Sequence, residues 1–90
     1  MKVTVKFYAD PGHGWAAVKR KTLVELGILD KITYFSYQRG QSVYLEEDCD
    51  LSTFIVAMRE AGKEVEFKHS HTNKTSPIRS YDRFVAATIA

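Results

Sequence analysis

The chain has 90 residues, 44% of them apolar and 27% charged, a mixture that suits one globular domain and excludes a disordered segment. Thirteen basic residues against eleven acidic ones leave a formal net charge of +2, too balanced to argue by itself for nucleic acid or a membrane surface. Cys49 is the only cysteine, which excludes an internal disulfide and fits a reducing compartment, and no stretch approaches the roughly 20 apolar residues of a membrane span.

Residues 2–8 alternate, with Val3, Val5 and Phe7 on one side and Lys2, Thr4, Lys6 and Tyr8 on the other. That period of two predicts a half-buried strand, and the alternation of the first five residues argues against a signal peptide. Asp10-Pro11-Gly12-His13-Gly14 predicts a turn. From Trp15 to about Leu26 the spacing reads as helical, with Trp15, Val18, Thr22 and Leu26 on one stripe and Gly27 as the stop. Ile32–Tyr37 and Ser42–Glu46 are β-branched and aromatic runs around Gln38-Arg39-Gly40-Gln41, the pattern of a hairpin whose glycine takes a positive φ. Asp48 or Asp50 is placed to cap a second helix with Leu51, Phe54, Ile55 and Met58 on its apolar stripe and Gly62 at its end. Glu64–Lys68 alternates again, with Val65 and Phe67 inward. After the polar run 72–76, Pro77 suits the first turn of a short last helix bearing Ile78, Tyr81 and Val85.

Strand, helix, hairpin, helix, strand is the βαββαβ order of a ferredoxin-like split βαβ fold, an α+β architecture with a four-stranded antiparallel sheet and two helices. Residues 1–71 form that domain, and 72–90 form a C-terminal connector and short helix or tail packing on it. The topology places the last strand antiparallel beside the first, with Lys2 and Lys6 facing Glu64 and Glu66. It gathers the Asp10–Trp15 loop, the Arg39-Gly40 turn and residues 61–63 at one end of the sheet. Residues 28–31, 46–50 and 69–73 gather at the other. Val3, Val5, Phe7, Leu26, Val43, Leu45, Phe54, Ile55, Met58, Val65 and Phe67 are the expected core.

Three places invite a functional reading. Free N–H groups of Gly12, His13 and Gly14 at a helix N-terminus, with Arg39 nearby, make an anion site, although the phosphate-loop Lys-Ser/Thr and the third glycine of a dinucleotide loop are both missing. The same residues also read as a tight turn that sets Trp15 into the core. His69, His71 and Asp48 are candidate ligands for zinc or a similar ion, against the plainer reading of a solvated acidic cap. The sheet face resembles that of RNA-recognition domains, and Arg39–Leu45 begins like one of their motifs. The aromatic positions of that motif fall on Gln41 and Val43, however, and the acidic residues 46–48 follow, so nucleic acid is not expected. Cys49 beside His69 or His71 is a conceivable nucleophile and base, but Asp48 and Asp50 disfavour a thiolate and a buried structural cysteine is expected instead. No catalytic residue emerges.

The strings Tyr8–Trp15, Tyr44–Asp50 and Ser76–Tyr81 resemble those of a family of small phage and prophage proteins, and the similarity extends to about Phe84. The resemblance implies an accessory protein of an infected bacterial cytoplasm and no particular activity; residues 85–90 fall beyond it. The leading expectation is a non-enzymatic binding protein without a cofactor. It would engage or inhibit a host protein, or take a small anion, and associate with itself as a homodimer. Tyr8, Tyr34, Phe35, Tyr37, Tyr81 and Phe84 are the aromatic residues expected at that interface, because one small sheet with two helices does not obviously hide them. The alternative is a small metal- or nucleotide-dependent enzyme.

Overall fold

A computed structural model describes residues 2–86. Met1 and the last part of the tail placed at 72–90, from residue 87 onward, lie outside the described residues. The chain forms β1 (Lys2–Ala9), β2 (Gly14–Lys19), α1 (Arg20–Glu25), β3 (Tyr37–Arg39), β4 (Ser42–Glu46), α2 (Asp50–Glu60), β5 (Glu64–His71) and β6 (Asp82–Arg83). Short 3-10 turns lie at Leu29–Lys31 and Pro77–Ser80. The α+β class holds, but the sheet has six strands in the order β5-β1-β2-β4-β3-β6 and is mixed, not a four-stranded antiparallel ferredoxin-like sheet.

The difference starts at Trp15. The run Gly14–Lys19 is a strand, and only Arg20–Glu25 is helical. Gly14-Trp15-Ala16-Ala17-Val18 is apolar on both sides, so its spacing fits a helix stripe and a doubly buried strand equally well. Tertiary packing decides: Ala16 and Val18 join one core while Trp15 joins another on the opposite face. With β2 hairpinned onto β1, the chain returns through an antiparallel β4, and α2 then carries it over two strands to β5. β5 therefore runs parallel to β1, where an antiparallel pair was expected. Its register sets Lys2 opposite Glu64 but Lys6 opposite Lys68, so the charge pairing expected of an antiparallel register is not formed along the strand.

The loops are re-sorted in the same step. Ala9 pairs with Gly14 and Trp15 with Glu46, whereas Lys19 pairs with Ser42 and Ser42 with Arg39. The 10–14 loop thus lies with residues 46–50 and with His71, which pairs with Ala9, and Arg39 lies at the far end. At the hairpin turn Gly40 has a φ of 58°, as its sequence suggested.

One face of the sheet carries α1 and α2. Val5, Ala16, Val18, Val43 and Leu45 from the strands pack there on Leu23, Leu51, Phe54, Met58 and Phe84. Phe54 is 1% exposed, so its truncation to alanine removes packing of about 3–5 kcal/mol. Val3, Phe7, Leu26, Ile55, Val65 and Phe67 complete the expected core but are only partly buried. Gly14 owes its identity to close approach and not to a positive φ: a Cβ there would lie 2.6 Å from Cε2 of Phe7.

The helix-free face is covered in part by the chain after His71. Ile78 and the ring of Tyr81 pack on Trp15, Tyr37, Tyr8 and Tyr44 as a second, smaller cluster. The expected last helix is a single 3-10 turn, Pro77–Ser80, capped by the Ser76 hydroxyl, which accepts from the Ile78 N–H. β6 then adds to the edge of β3, Phe84 enters the main core, and Val85 is exposed.

Candidate functional site

Asp10, the residue that opens the unusual turn, fixes the geometry of one end of the helix-free face. One carboxylate oxygen accepts from the N–H groups of Gly12 and His13, at 3.0 Å each. The other accepts from the Ser76 N–H at 3.0 Å and from Arg79 Nε at 2.6 Å, while Arg79 Nη2 donates back to the first at 3.0 Å. One side chain thereby closes its own turn and clamps the distant 76–79 turn onto the sheet. The Arg79 guanidinium, helped by the Ser76 amide, holds the Asp10 carboxyl well below the usual carboxylate range. Arg79 in turn lies 5.1 Å over the Trp15 ring.

These bonds alter the expected anion site. No helix begins after Gly14, the amides of Gly12 and His13 donate to Asp10, and Arg39 lies at the other end of the sheet. His13 instead faces carboxylates, Nε2 lying 3.6 Å from Glu46 and Nδ1 3.5 Å from Glu47, with its ring against Trp15.

The expected metal ligands are not brought together. His69 packs on Phe7 and Phe67, His71 shares a hydrogen bond with the Asn73 side chain, and Asp48 belongs to another group. Ligand atoms of His13, Glu46 and Asp48 lie within 4.8 Å of one another. Glu46, however, is buried and accepts from the N–H groups of Asp48, Cys49 and Asp50, so it serves as the anionic cap of α2. Asp50, expected as a cap, reaches back to Thr33 and Ser36. The cavity beside this trio, about 390 Å³, is also lined by Arg79 and Arg83, whose charges oppose a cation. Cys49 is exposed, not buried, and carries no histidine partner among the described residues.

The clamp builds a different feature. Tyr8, Tyr44 and Tyr81 wall a cleft of about 300 Å³, closed by Ser70–Thr72 on one side and Ser76–Ile78 on the other. The Tyr8 and Tyr44 rings are 6.5 Å apart and those of Tyr44 and Tyr81 5.1 Å apart. Arg39 lies 4.9 Å over the Tyr81 ring and holds it from outside. Burial, with Tyr81 and Tyr8 close by, pushes the Tyr44 phenol up, so it stays a neutral hydrogen-bond donor. Across the helix-free face, strand alternation sets Lys2, Lys6, Lys19, Arg39 and Lys68 against Glu46, Glu64 and Glu66. Lys6 and Lys68 are direct neighbours in register, and neither forms an ion pair among the described residues.

Of the aromatic residues expected at an interface, Tyr37 and Phe84 are core, at 8% and 3% exposure. Tyr8 and Tyr81 are half-buried in the cleft. Tyr34 and Phe35 are exposed and stack on each other in the turn before β3. The six do not form one patch. Tyr44, Lys6, Lys68 and Arg79 were missed as a group. Tyr44 had a usable signal, since it alternates with Val43 and Leu45 and so must point away from the helices. Arg79 had none, because its partners Asp10 and Trp15 lie more than sixty positions away. Comparisons with protein-family models, with curated proteins and with solved structures find no match to this chain.

Proposed function

We propose that this protein is a non-enzymatic binding module whose tyrosine cleft takes a ring-bearing, acidic segment of a partner protein. The observation that carries the reading is the cleft itself: three tyrosines around a cavity on a face where lysine and arginine outnumber glutamate. Tyrosine and arginine are the side chains that supply large contact area at low entropic cost in protein interfaces, and unpaired lysines nearby attract an acidic partner. The lining favours binding over catalysis. It contains no carboxylate, Ser76 is occupied as a turn cap, and His71 meets Asn73, so no acid–base pair faces the cavity. The resemblance of three strings to phage accessory proteins agrees with a host protein as that partner and with the cytoplasm as its place. Among the described residues no helix is long and apolar enough to cross a membrane.

Selection of a random peptide library on the immobilised protein tests this reading. Wild type is expected to enrich acidic peptides with one aromatic residue, bound more weakly as salt rises. Tyr44→Ala and Lys6→Glu, both at sites away from the main core, are each expected to lose that enrichment. No enrichment, or preferential binding of a single-stranded oligonucleotide in parallel fluorescence anisotropy, would overturn it.

A further inference from the structure

β5 is an edge strand of eight residues, Glu64–His71, paired on one side only. Along its roughly 26 Å free side, alternate residues present unpaired N–H and C=O groups. Edge strands are ordinarily blunted by proline, bulges, brevity or charged side chains. β5 has no proline and no glycine, and its charges have both signs, so they block a partner strand of like pattern in some registers and pair with it in another.

The core is also thinnest beside it. Ala16, Val43 and Leu45 in the central strands are fully buried, while Val65, Phe67, Phe7 and Ile55 on the β5 flank are only partly buried. Ile55, Val65 and Phe67 border an open cavity of about 490 Å³ between β5 and α2, rimmed by Arg59, Lys63 and Glu64. An added strand would cover that flank.

We infer that the occupant is a second copy of this chain, paired antiparallel along β5 about a two-fold axis through Phe67. A two-fold normal to the sheet keeps both helix layers on one side. Because side chains alternate along a strand, it admits only registers centred on a residue. Centring on Glu66 sets glutamate against glutamate, and centring on Lys68 sets lysine against lysine. Centring on Phe67 sets Glu66 of each copy against Lys68 of the other, Val65 against His69, and Phe67 against itself. Of the central registers it alone sets Glu66 against Lys68 with no like-charge pair, since a centre on His69 leaves these two opposite Thr72 and Ser70, and it places the half-exposed apolar side chains over the open flank. The sheet becomes continuous through both copies, and Tyr44, Lys6 and Arg39 stay clear of the join.

Charge exchange across the axis tests this inference by sedimentation equilibrium and native mass spectrometry of the full chain. Wild type is expected to dimerise at micromolar concentration. Lys68→Glu sets glutamate against glutamate twice, and Glu66→Lys sets lysine against lysine twice, so each variant alone should dimerise about tenfold or more weakly. Mixed in equal amounts, the two variants restore opposite charges at both pairs and should form a one-to-one heterodimer. Both positions are exposed, and circular dichroism of each variant checks that its fold is kept. A monomeric wild type at 100 µM (roughly the range in which weak specific dimers form), variants that dimerise as wild type does, or a mixture that gives no heterodimer would each overturn it.

Discussion

Asp10 shows how far one carboxylate can organise a small domain. Its two oxygens accept five hydrogen bonds, from Gly12, His13, Ser76 and twice from Arg79, joining positions 66 and 69 residues apart in sequence. All five prefer the ionised form, and Arg79 contributes most to holding the group ionised. A carboxyl whose folded pKa lies below its ordinary 3.8 stabilises the fold above that value. The contribution is lost as pH falls from about 5 through the ordinary value towards the folded one. Thermal unfolding between pH 7 and pH 2 measures it. Asp10→Asn, which keeps the shape but loses the charge and an acceptor, is expected to melt lower at neutral pH and to lose stability less steeply on acidification. The two curves should draw together towards the acid end, and parallel curves would assign the clamp no electrostatic role. Arg79→Lys should fall between them, since one ammonium cannot reproduce the paired Nε and Nη2 contacts.

Glu46 does for an element what Asp10 does for two turns. It ends β4, turns its carboxylate under the first residues of α2, and accepts three amides at 2.6 to 2.8 Å. Glu46→Ala leaves those donors without their acceptor, the Asp50 N–H in a buried place and the other two nearer water, so a loss of about 1–3 kcal/mol is expected, read from urea unfolding. Glu46→Gln, with one acceptor oxygen remaining, should lose less. An unchanged unfolding midpoint for Glu46→Ala would mean that water replaces the cap. From the sequence, β1, β4, α2 and β5 are legible because one face of each turns towards the helix-side core, which imposes a period of two or 3.6 on its residues. The strand expected at Ile32–Tyr37, by contrast, begins only at Tyr37, residues 32–36 forming a turn whose Thr33 and Ser36 donate to Asp50. β2 is not legible, since Trp15 and Ala16 are buried on opposite faces and leave no period to read. The caps of α2 were misassigned for a related reason: Asp48 and Asp50 have the local position of a cap, but Glu46 has the direction. Missing β2 reversed the sense of β5 and moved His13 from an expected arginine to two glutamates. The candidate site suffered most, because it is made by contacts between segments far apart in sequence.

At the scale of the molecule, the chain after His71 binds both cores into one. Ile78 and Arg79 cover Trp15 on the helix-free face, and Phe84 enters the helix side. The Phe84 N–H donates to the Ser36 carbonyl at 2.9 Å, and Arg20 donates to the carbonyls of Val85 and Ala86 while lying over the Phe84 ring. A domain of this size has little stability to spare, typically 5–15 kcal/mol in all. Loss of Ile78 and Phe84 together would remove about 5–10 kcal/mol by the usual cost of emptying buried sites. A chain ending at Thr75 is therefore expected to lack a cooperative unfolding transition. Trp15 reports on this directly, being the only tryptophan and 1% exposed in the intact fold. Its emission should shift to the red in the truncated chain, and a synthetic peptide of residues 76–90 added in excess should return it towards the blue. Ile78→Ala with Phe84 intact separates the two cores: it should loosen Trp15 and the tyrosine cleft while the helix-side core still unfolds cooperatively. If the truncated chain kept a blue emission and a cooperative transition, the tail would be an ornament on residues 2–71, and the cleft it walls would have to be explained without the fold depending on it.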